Sequence, residues 1–207
     1  MATMRQTLRG LEDALGLKLL HDVPVAKVFA NEDYRSTWDD RWPQKHGVCQ
    51  WASRGEELSE AGIDALQGPS GVGRVHASGW VDVPALLDGM ERHFLDQGWL
   101  QDRAWSVKDG LPEGADAVVD CRGVGAAEEL AQVGVTVNPN HGDVLTLSTP
   151  LTGPGALDTA GHTVNNGKWL LPTEVKEGRQ WWRLGATYSW HRLNPTPNAM
   201  AAEELRD

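Results

Sequence analysis

Hydrophobic positions recur every three to four residues over "MRQTLRGLEDAL", residues 4 to 15, which places Met4, Leu8, Leu11 and Leu15 on one face of an amphipathic helix. "LKLLHDVPVAKVF" then reads as extended, and Pro24, which has no N–H for a ladder, excludes a central strand there. "NEDYRSTWDDRW" predicts a short helix opened by Asn31 and closed before Pro43. A short strand and a glycine turn lead to Asp82. Pro84 opens a helix with Leu86, Leu87, Met90 and Phe94 on one face, and Gly98 ends it. "WSV" at 105 to 107 predicts a brief strand, and 116 to 121 a buried one lying close to it. "GDVLTLST", "GKWLLPT" and "QWWRLGATYSW" alternate like sheet strands, the last two joined by a Lys/Glu/Gly hairpin turn. "TPNAMAAEELRD" starts a helix after Pro197 whose apolar face, Met200 and Leu205, has little to pack against. The pattern predicts an α/β (α+β) chain: a mixed, largely antiparallel sheet built mainly from residues 142 to 190, with the helix 84 to 97 in a separate α/β portion.

Composition narrows the function classes. The 207 residues can bury one good core, and the formal net charge of −10 gives no electrostatic help on a phosphate backbone, which argues against nucleic acid. No apolar run reaches the roughly 18 residues of a membrane span, and the N-terminus lacks a signal-peptide pattern. Cys49 and Cys121 form no CxxC and no framework, which suits a reducing cytoplasm. The ten tryptophans recur beside glycines and charges, as half-buried packing residues with a polar handle do. The seven histidines show no i,i+4 pairing and no adjacent Cys, so a structural metal site is not expected.

One stretch reads as nucleotide chemistry. In "GADAVVDCRGVGAAEEL", residues 114 to 130, an apolar run ends at Asp120 and Cys121, and Gly123 and Gly125 precede a helical segment. This nearly spells a dinucleotide fingerprint, but Glu128 stands at the third glycine, where its charge would repel a pyrophosphate. Asp143 opens a strand instead of closing one, and the unit sits mid-chain, so a first Rossmann strand is excluded. The glycines of "GPSGVGR", 68 to 74, fall in the wrong order, with no strand leading in; that segment reads as a turn.

The order of pieces is more specific than any one of them. Asp82 to Pro84 opens a long helix; Cys121-Arg122-Gly123 closes a strand; His141-Gly142-Asp143-Val144-Leu145, Trp169-Leu170-Leu171-Pro172 and Gly185-Ala186-Thr187 follow. Over residues 70 to 207 this order resembles the D-amino-acid oxidase family of FAD-dependent amine oxidoreductases. The resemblance implies hydride transfer from the carbon bearing an amine to flavin, with a small-molecule amine or amino acid as substrate and no membrane or nucleic-acid partner. It implies FAD contacts at Val107, Cys121, Arg122, Gly123 and Val124. Glycine in that turn lets backbone approach a cofactor. Arg122, where the family often has Thr, either adds charge to the pyrophosphate or lies on the surface. Trp169 aligns with a substrate-facing tyrosine, its alternative being a strand aromatic packed on the sheet. Tyr188, ending the next strand, and His141, on a loop passing near the active site, complete the candidates; no catalytic acid or base is required.

The family's G-x-G-x-x-G unit is not found before residue 31. The chain therefore reads as an internal portion of such an enzyme: residues 1–70 a helix and partly extended lead-in on the substrate-domain side, 71–130 a partial FAD-contacting portion, 131–207 the substrate-domain sheet. Apolar surface near Val107, Val118 and Val124 is expected to lie uncovered, and FAD binding by this chain alone to be weak. The missing FAD domain is then its partner. The alternative is a cofactor-free substrate-domain-like binding or interaction module. A tRNA-modifying relative is disfavoured by the acidic charge.

Overall fold

The computed structural model describes residues 2–41, 49–52, 66, 68–76, 78–192, 194 and 196–206. Helix α1, Ala2–Leu15, follows the expected periodicity, but its inward face is shifted by part of a turn. Leu8, Leu11 and Leu15 face inward, whereas Met4 is exposed and Glu12 is buried in its place. A buried carboxylate needs donors. The Glu12 Oε1 accepts the backbone N–H groups of Leu19 and Leu20, both at 2.8 Å, and Arg9 donates to the other oxygen at 2.6 Å. These bonds fold the chain back after Gly16 and hold the Glu12 carboxyl down at about 2, the Leu20 and Leu19 amides contributing most.

Strand β1, Leu20–His21, and β2, Val25–Val28, flank Pro24. The expectation that Pro24 bars a central strand is overturned. The proline stands just outside β2, where its missing N–H costs no ladder bond, and its carbonyl accepts from Thr163 N–H at 2.9 Å. Helix α2, Glu32–Arg41, begins where Asn31 Oδ1 caps the Tyr34 N–H at 2.9 Å. Strand β3 is Cys49–Ala52 and β4 is Val72–Val75. The predicted loop 68 to 74 therefore ends at Gly71. Gly73 belongs to a strand because the Phe29 and Trp38 rings lie on it, leaving no room for a Cβ. Strand β5, Trp80–Val81, pairs with β1, and α3, Val83–Asp96, is capped by Asp82 with Pro84 in its first turn. Gly89 of α3 faces Leu17, which a Cβ there would meet at 2.4 Å; Leu87, expected inward, is exposed.

Residues 105 to 107 and 116 to 121 are not strands. Ser106 caps a short 3-10 turn, Val107–Asp109, and 116 to 121 runs irregularly with Val119 84% exposed. A strand needs a ladder partner, and none runs alongside among the described residues. A second 3-10 turn, Gly123–Ala126, leads into α4, Ala127–Gln132. Then come β6, Asn140–His141; β7, Val144–Pro150; β8, Thr163–Asn166; β9, Lys168–Lys176; β10, Arg179–Gly185; β11, Ser189–Trp190; and α5, Ala199–Arg206.

Among the described residues the main sheet has seven strands in the order β3-β4-β2-β8-β9-β10-β7. All neighbours are antiparallel except β2 and β8. The β9–β10 hairpin turns at Glu177 and Gly178, as expected, and β6 pairs with β11 in a separate ribbon. Ala26, Val28 and Val72 form a core with Leu66 and Val164 against it. Lys27 reaches Asn165, its register partner, and lies over the Tyr34 ring at 4.8 Å. Helix α5 does find packing: Ala201 and Leu205 are buried, whereas Met200 points out. No helix among the described residues is long and apolar enough to cross a membrane.

Two outcomes follow. Gly73→Ala forces a methyl within about 3 Å of the Phe29 and Trp38 rings and costs about 1–3 kcal/mol, read as a lower urea midpoint at unchanged m-value. Because the folded Glu12 carboxyl titrates at about 2 against 4.5 unperturbed, its stabilisation is complete above pH 4.5 and fades as pH falls towards 2. The urea midpoint of Glu12→Gln is expected to fall less steeply than wild type across that window.

Candidate functional site

The turn at Cys121 to Val124 is organised by two carboxylates around one arginine. Arg122 bonds Asp120 in a two-point fashion, Nε at 3.0 Å and a terminal nitrogen at 2.8 Å, and reaches Glu129 at 3.1 Å. The Arg122 amide also donates to Asp120, and its guanidinium lies 5.7 Å from the Trp105 ring centre. Glu129, on α4, accepts further from Ser106 Oγ at 3.1 Å and from the Val107 N–H at 3.0 Å. One carboxylate thus draws together the two segments whose strands are absent. Arg122 holds the Asp120 and Glu129 carboxyls at about 2 each, with the Val107 and Ser106 donors adding to Glu129, and both raise Arg122 above its ordinary value.

His141, Trp169 and Tyr188 are not brought into one pocket. His141 lies in the β6–β11 ribbon opposite Ser189, with its Nε2 at 3.3 Å from Asp143. Asp143 is the centre there. Its Oδ1 accepts the Asn198 N–H at 3.0 Å, its amide donates to Thr187 Oγ1 at 3.2 Å, and its carbonyl accepts from the Thr187 N–H at 3.2 Å. The Asn198 amide, then His141 and Arg192, hold the Asp143 carboxyl below its usual range. This residue pins the end of β10 and the start of α5 to the start of β7, a structural role that sequence patterning did not reveal.

Side chains alternate across the sheet, so β7, β9 and β10 present two different faces. On one face Thr146, Trp169, Leu171, Thr173, Trp181 and Arg183 floor a cavity of about 430 Å³, walled by Trp80 to Pro84 at the start of α3. The Trp80 ring is fixed by stacking on His21 at 3.8 Å. On the other face Val164, Leu170, Leu184 and Tyr188 line an open cavity of about 720 Å³ bordered by Leu205 of α5. Trp169 does two things: it lines the first cavity, and its ring lies over Gly185, where a Cβ would meet it at 3.3 Å. Tyr188 is 68% exposed at the edge of the second. Arg183, Trp80 and Trp181 were passed over by motif reasoning, because only the β9–β10 register and the return of α3 bring them together.

The turn suits part of a dinucleotide and not the whole. Gly123 has φ +56° and nothing within 4 Å of a would-be Cβ, and Cys121 is exposed, so a flat or uncharged group can approach the backbone. Two donors a phosphate could use are taken: the Val107 N–H and the Arg122 guanidinium already serve carboxylates, and Asp120 and Glu129 outnumber Arg122 in that cluster. Val107, Val118 and Val124 are exposed, as are Val119 and Val133. Among the described residues no group of three or more His, Cys, Asp or Glu is placed to hold a metal ion.

The overall geometry matches known structures closely enough to name. Glycine oxidase from Geobacillus kaustophilus superposes with a TM-score of 0.72 over 99% of this chain. The chain has the glycine-oxidase fold. Sequence identity in that pair is 21%, and the match covers 58% of the oxidase. Glycine oxidase from Bacillus cereus ATCC 14579 gives 0.67 at 16% identity, covering 99% of this chain and 60% of that one. Iminodiacetate oxidase from Chelativorans sp. BNC1 gives 0.69 at 18%, covering 98% and 59%. No family model matches the sequence, and no curated protein does. The chain thus spans about three-fifths of the length of these enzymes, and the fold implied by its motif order is the fold found.

Removing the arginine from the turn tests its electrostatics. In Arg122→Gln the Asp120 and Glu129 carboxyls are expected to titrate upwards from about 2 towards the ordinary carboxylate range, followed by carboxyl carbon NMR shifts against pH. Glu129→Ala is expected to speed amide hydrogen exchange at Val107 relative to wild type, because the acceptor of that N–H is the Glu129 side chain.

Proposed function

We propose that this chain is the substrate-domain side of an FAD-dependent oxidoreductase that oxidises an amine or amino acid. The observation that carries the reading is the tryptophan-walled cavity on the Trp169 face, in a fold shared with glycine and iminodiacetate oxidases. Flavin, when bound, supplies the electron sink for the carbon bearing the amine. The chain's own residues shape the site: Trp80, Trp169 and Trp181 exclude water, and Thr146 and Thr173 offer hydroxyls on the same floor. The backbone at Gly123 and Val124 is the surface a cofactor would approach, while its phosphates are held by a unit other than these residues. Coverage of about three-fifths of the oxidases supports that division, as does the exposure of Val107, Val118 and Val124. Residues 1–70, 71–130 and 131–207 keep their assigned parts in this proposal, with Tyr188 and His141 outside the cavity that Trp169 lines.

The Glu129 clamp favours a second reading. A turn whose amide and arginine are already satisfied by carboxylates is what a cofactor-free binding module would keep.

Flavin titration separates them. Two or three backbone contacts, each worth about 0.5–1.5 kcal/mol, do not offset an association cost on the order of 4–15 kcal/mol. The chain alone is therefore expected to show no saturable FAD uptake at micromolar concentration, by flavin fluorescence. Co-expressed with the reading frames that adjoin its gene, it is expected to copurify with flavin and release peroxide on addition of an amine or amino acid. A flavin-free product that stays silent with every amine would overturn the oxidoreductase reading in favour of the binding module.

A further inference from the structure

We propose that His162 is an acid-sensitive pin: its neutral ring holds the turn that leads into β8, and its protonation opens the sheet between β2 and β8. The inference concerns how the fold answers pH and stands whatever the cavity binds.

The turn from Thr159 to His162 needs holding. Ala160 has φ +48° and Gly161 φ +71°, and a residue with a Cβ adopts that left-handed conformation only at a cost. The Ala160 N–H donates to Asp158 Oδ1 at 2.8 Å, and the His162 N–H to the Thr159 carbonyl at 2.9 Å. The His162 ring completes the clasp, its Nδ1 lying 2.8 Å from the Ala160 carbonyl and 3.1 Å from that of Thr159. Carbonyl oxygens only accept, so Nδ1 carries the proton and the neutral ring keeps its lone pair on Nε2. The next residue, Thr163, donates its N–H to the Pro24 carbonyl at 2.9 Å and starts the register of β8 on β2.

The folded ring cannot be charged without loss. His162 is 2% exposed, and Nε2, the atom that would gain the proton, is buried with no hydrogen-bond partner among the described residues. Protonation would create an unsatisfied donor on a buried cation. Arg74 on β4 and His76 just beyond it act on the ring from across β2, and both are basic. The Arg74 Nε is itself buried without a partner and is a donor, so it offers no acceptor. The carboxylates nearest in the chain are engaged, Asp158 by the Ala160 N–H and Asp22 by Arg5 and Arg9. Burial above all, with Arg74 and His76, pushes the ring below its ordinary 6.5, against the pull of the two carbonyls. A depressed folded value means that the open state binds the proton more readily. The stabilisation is therefore complete above pH 6.5 and fades as pH falls below it, whereas that of Glu12 fades only below 4.5. Strands β7, β9 and β10 carry the cavity floor, while its wall, Trp80 to Pro84, follows β4 in the chain. Opening between β2 and β8 parts the floor from the wall.

Amide hydrogen exchange, normalised to the intrinsic rate at each pH, reads the junction at Thr163. Asp82, whose N–H bonds the Leu19 carbonyl at 2.9 Å, is the reference. Between pH 7 and pH 5, protection at Thr163 is expected to fall about fivefold or more relative to Asp82. That relative fall is expected to vanish in His162→Gln and to shrink in Arg74→Gln, which removes a repelling charge. Ring-nitrogen NMR of the wild-type chain decides independently of whether either variant folds: a proton on Nδ1 at pH 7 and titration below 6.5 are expected. Equal losses of protection at Thr163 and Asp82, the wild-type fall retained in folded His162→Gln, a proton on Nε2 at pH 7, or a ring titrating at or above 6.5 would each overturn the proposal.

Discussion

Three register pairs, Val25 with Thr163, Ala26 with Val164 and Lys27 with Asn165, hold the rest of the molecule in place. They are the one parallel pairing in the described sheet, and they join residues 138 apart. Closing so long a loop costs entropy that only burial can offset, and the core of Ala26, Val28, Val72 and Val164 forms at that junction. Without it, β8, β9, β10 and β7 would be a four-stranded sheet with two open edges. With it, the chain that leaves β4 returns through β5, and α3 starts over the tryptophan face of β9 and β10. The cavity is a consequence of that return.

Charge is used locally throughout. Glu12 closes the turn after α1 by accepting two amides, Asp143 ties β7 to Thr187 and Asn198, and Glu129 ties the segment at Val107 to the turn at Arg122. In each case a carboxylate takes backbone N–H groups that lack a ladder partner, which is why regions short of regular structure still have a fixed course.

The likeness to glycine and iminodiacetate oxidases concerns shape at 16–21% identity, and it spans about three-fifths of those enzymes. The local chemistry departs from a phosphate cradle where the motif order placed a cofactor contact. Cys121 and Gly123 keep an open backbone, while Asp120 and Glu129 both pair with Arg122. Fold and cofactor chemistry are separable properties, and here they separate at a single turn.

From the sequence alone, elements with strong local signals were legible: α1 and α3 by their periodicity, α2 by its Asn31 cap, the β9–β10 hairpin by alternation around Glu177 and Gly178, and the order of motifs that implied the fold. Local rules failed where a distant partner decided. Val25–Val28 became a central strand because Pro24 falls one residue before the ladder starts; Gly73 became a strand residue because two rings cover it; and 116 to 121, apolar enough for a strand, had no neighbour to pair with. The same limit applies to the site. Trp169 could be named from a motif, but its company with Trp80, Trp181 and Arg183 comes from a register and a crossover, and neither is written in the spacing of residues along the chain.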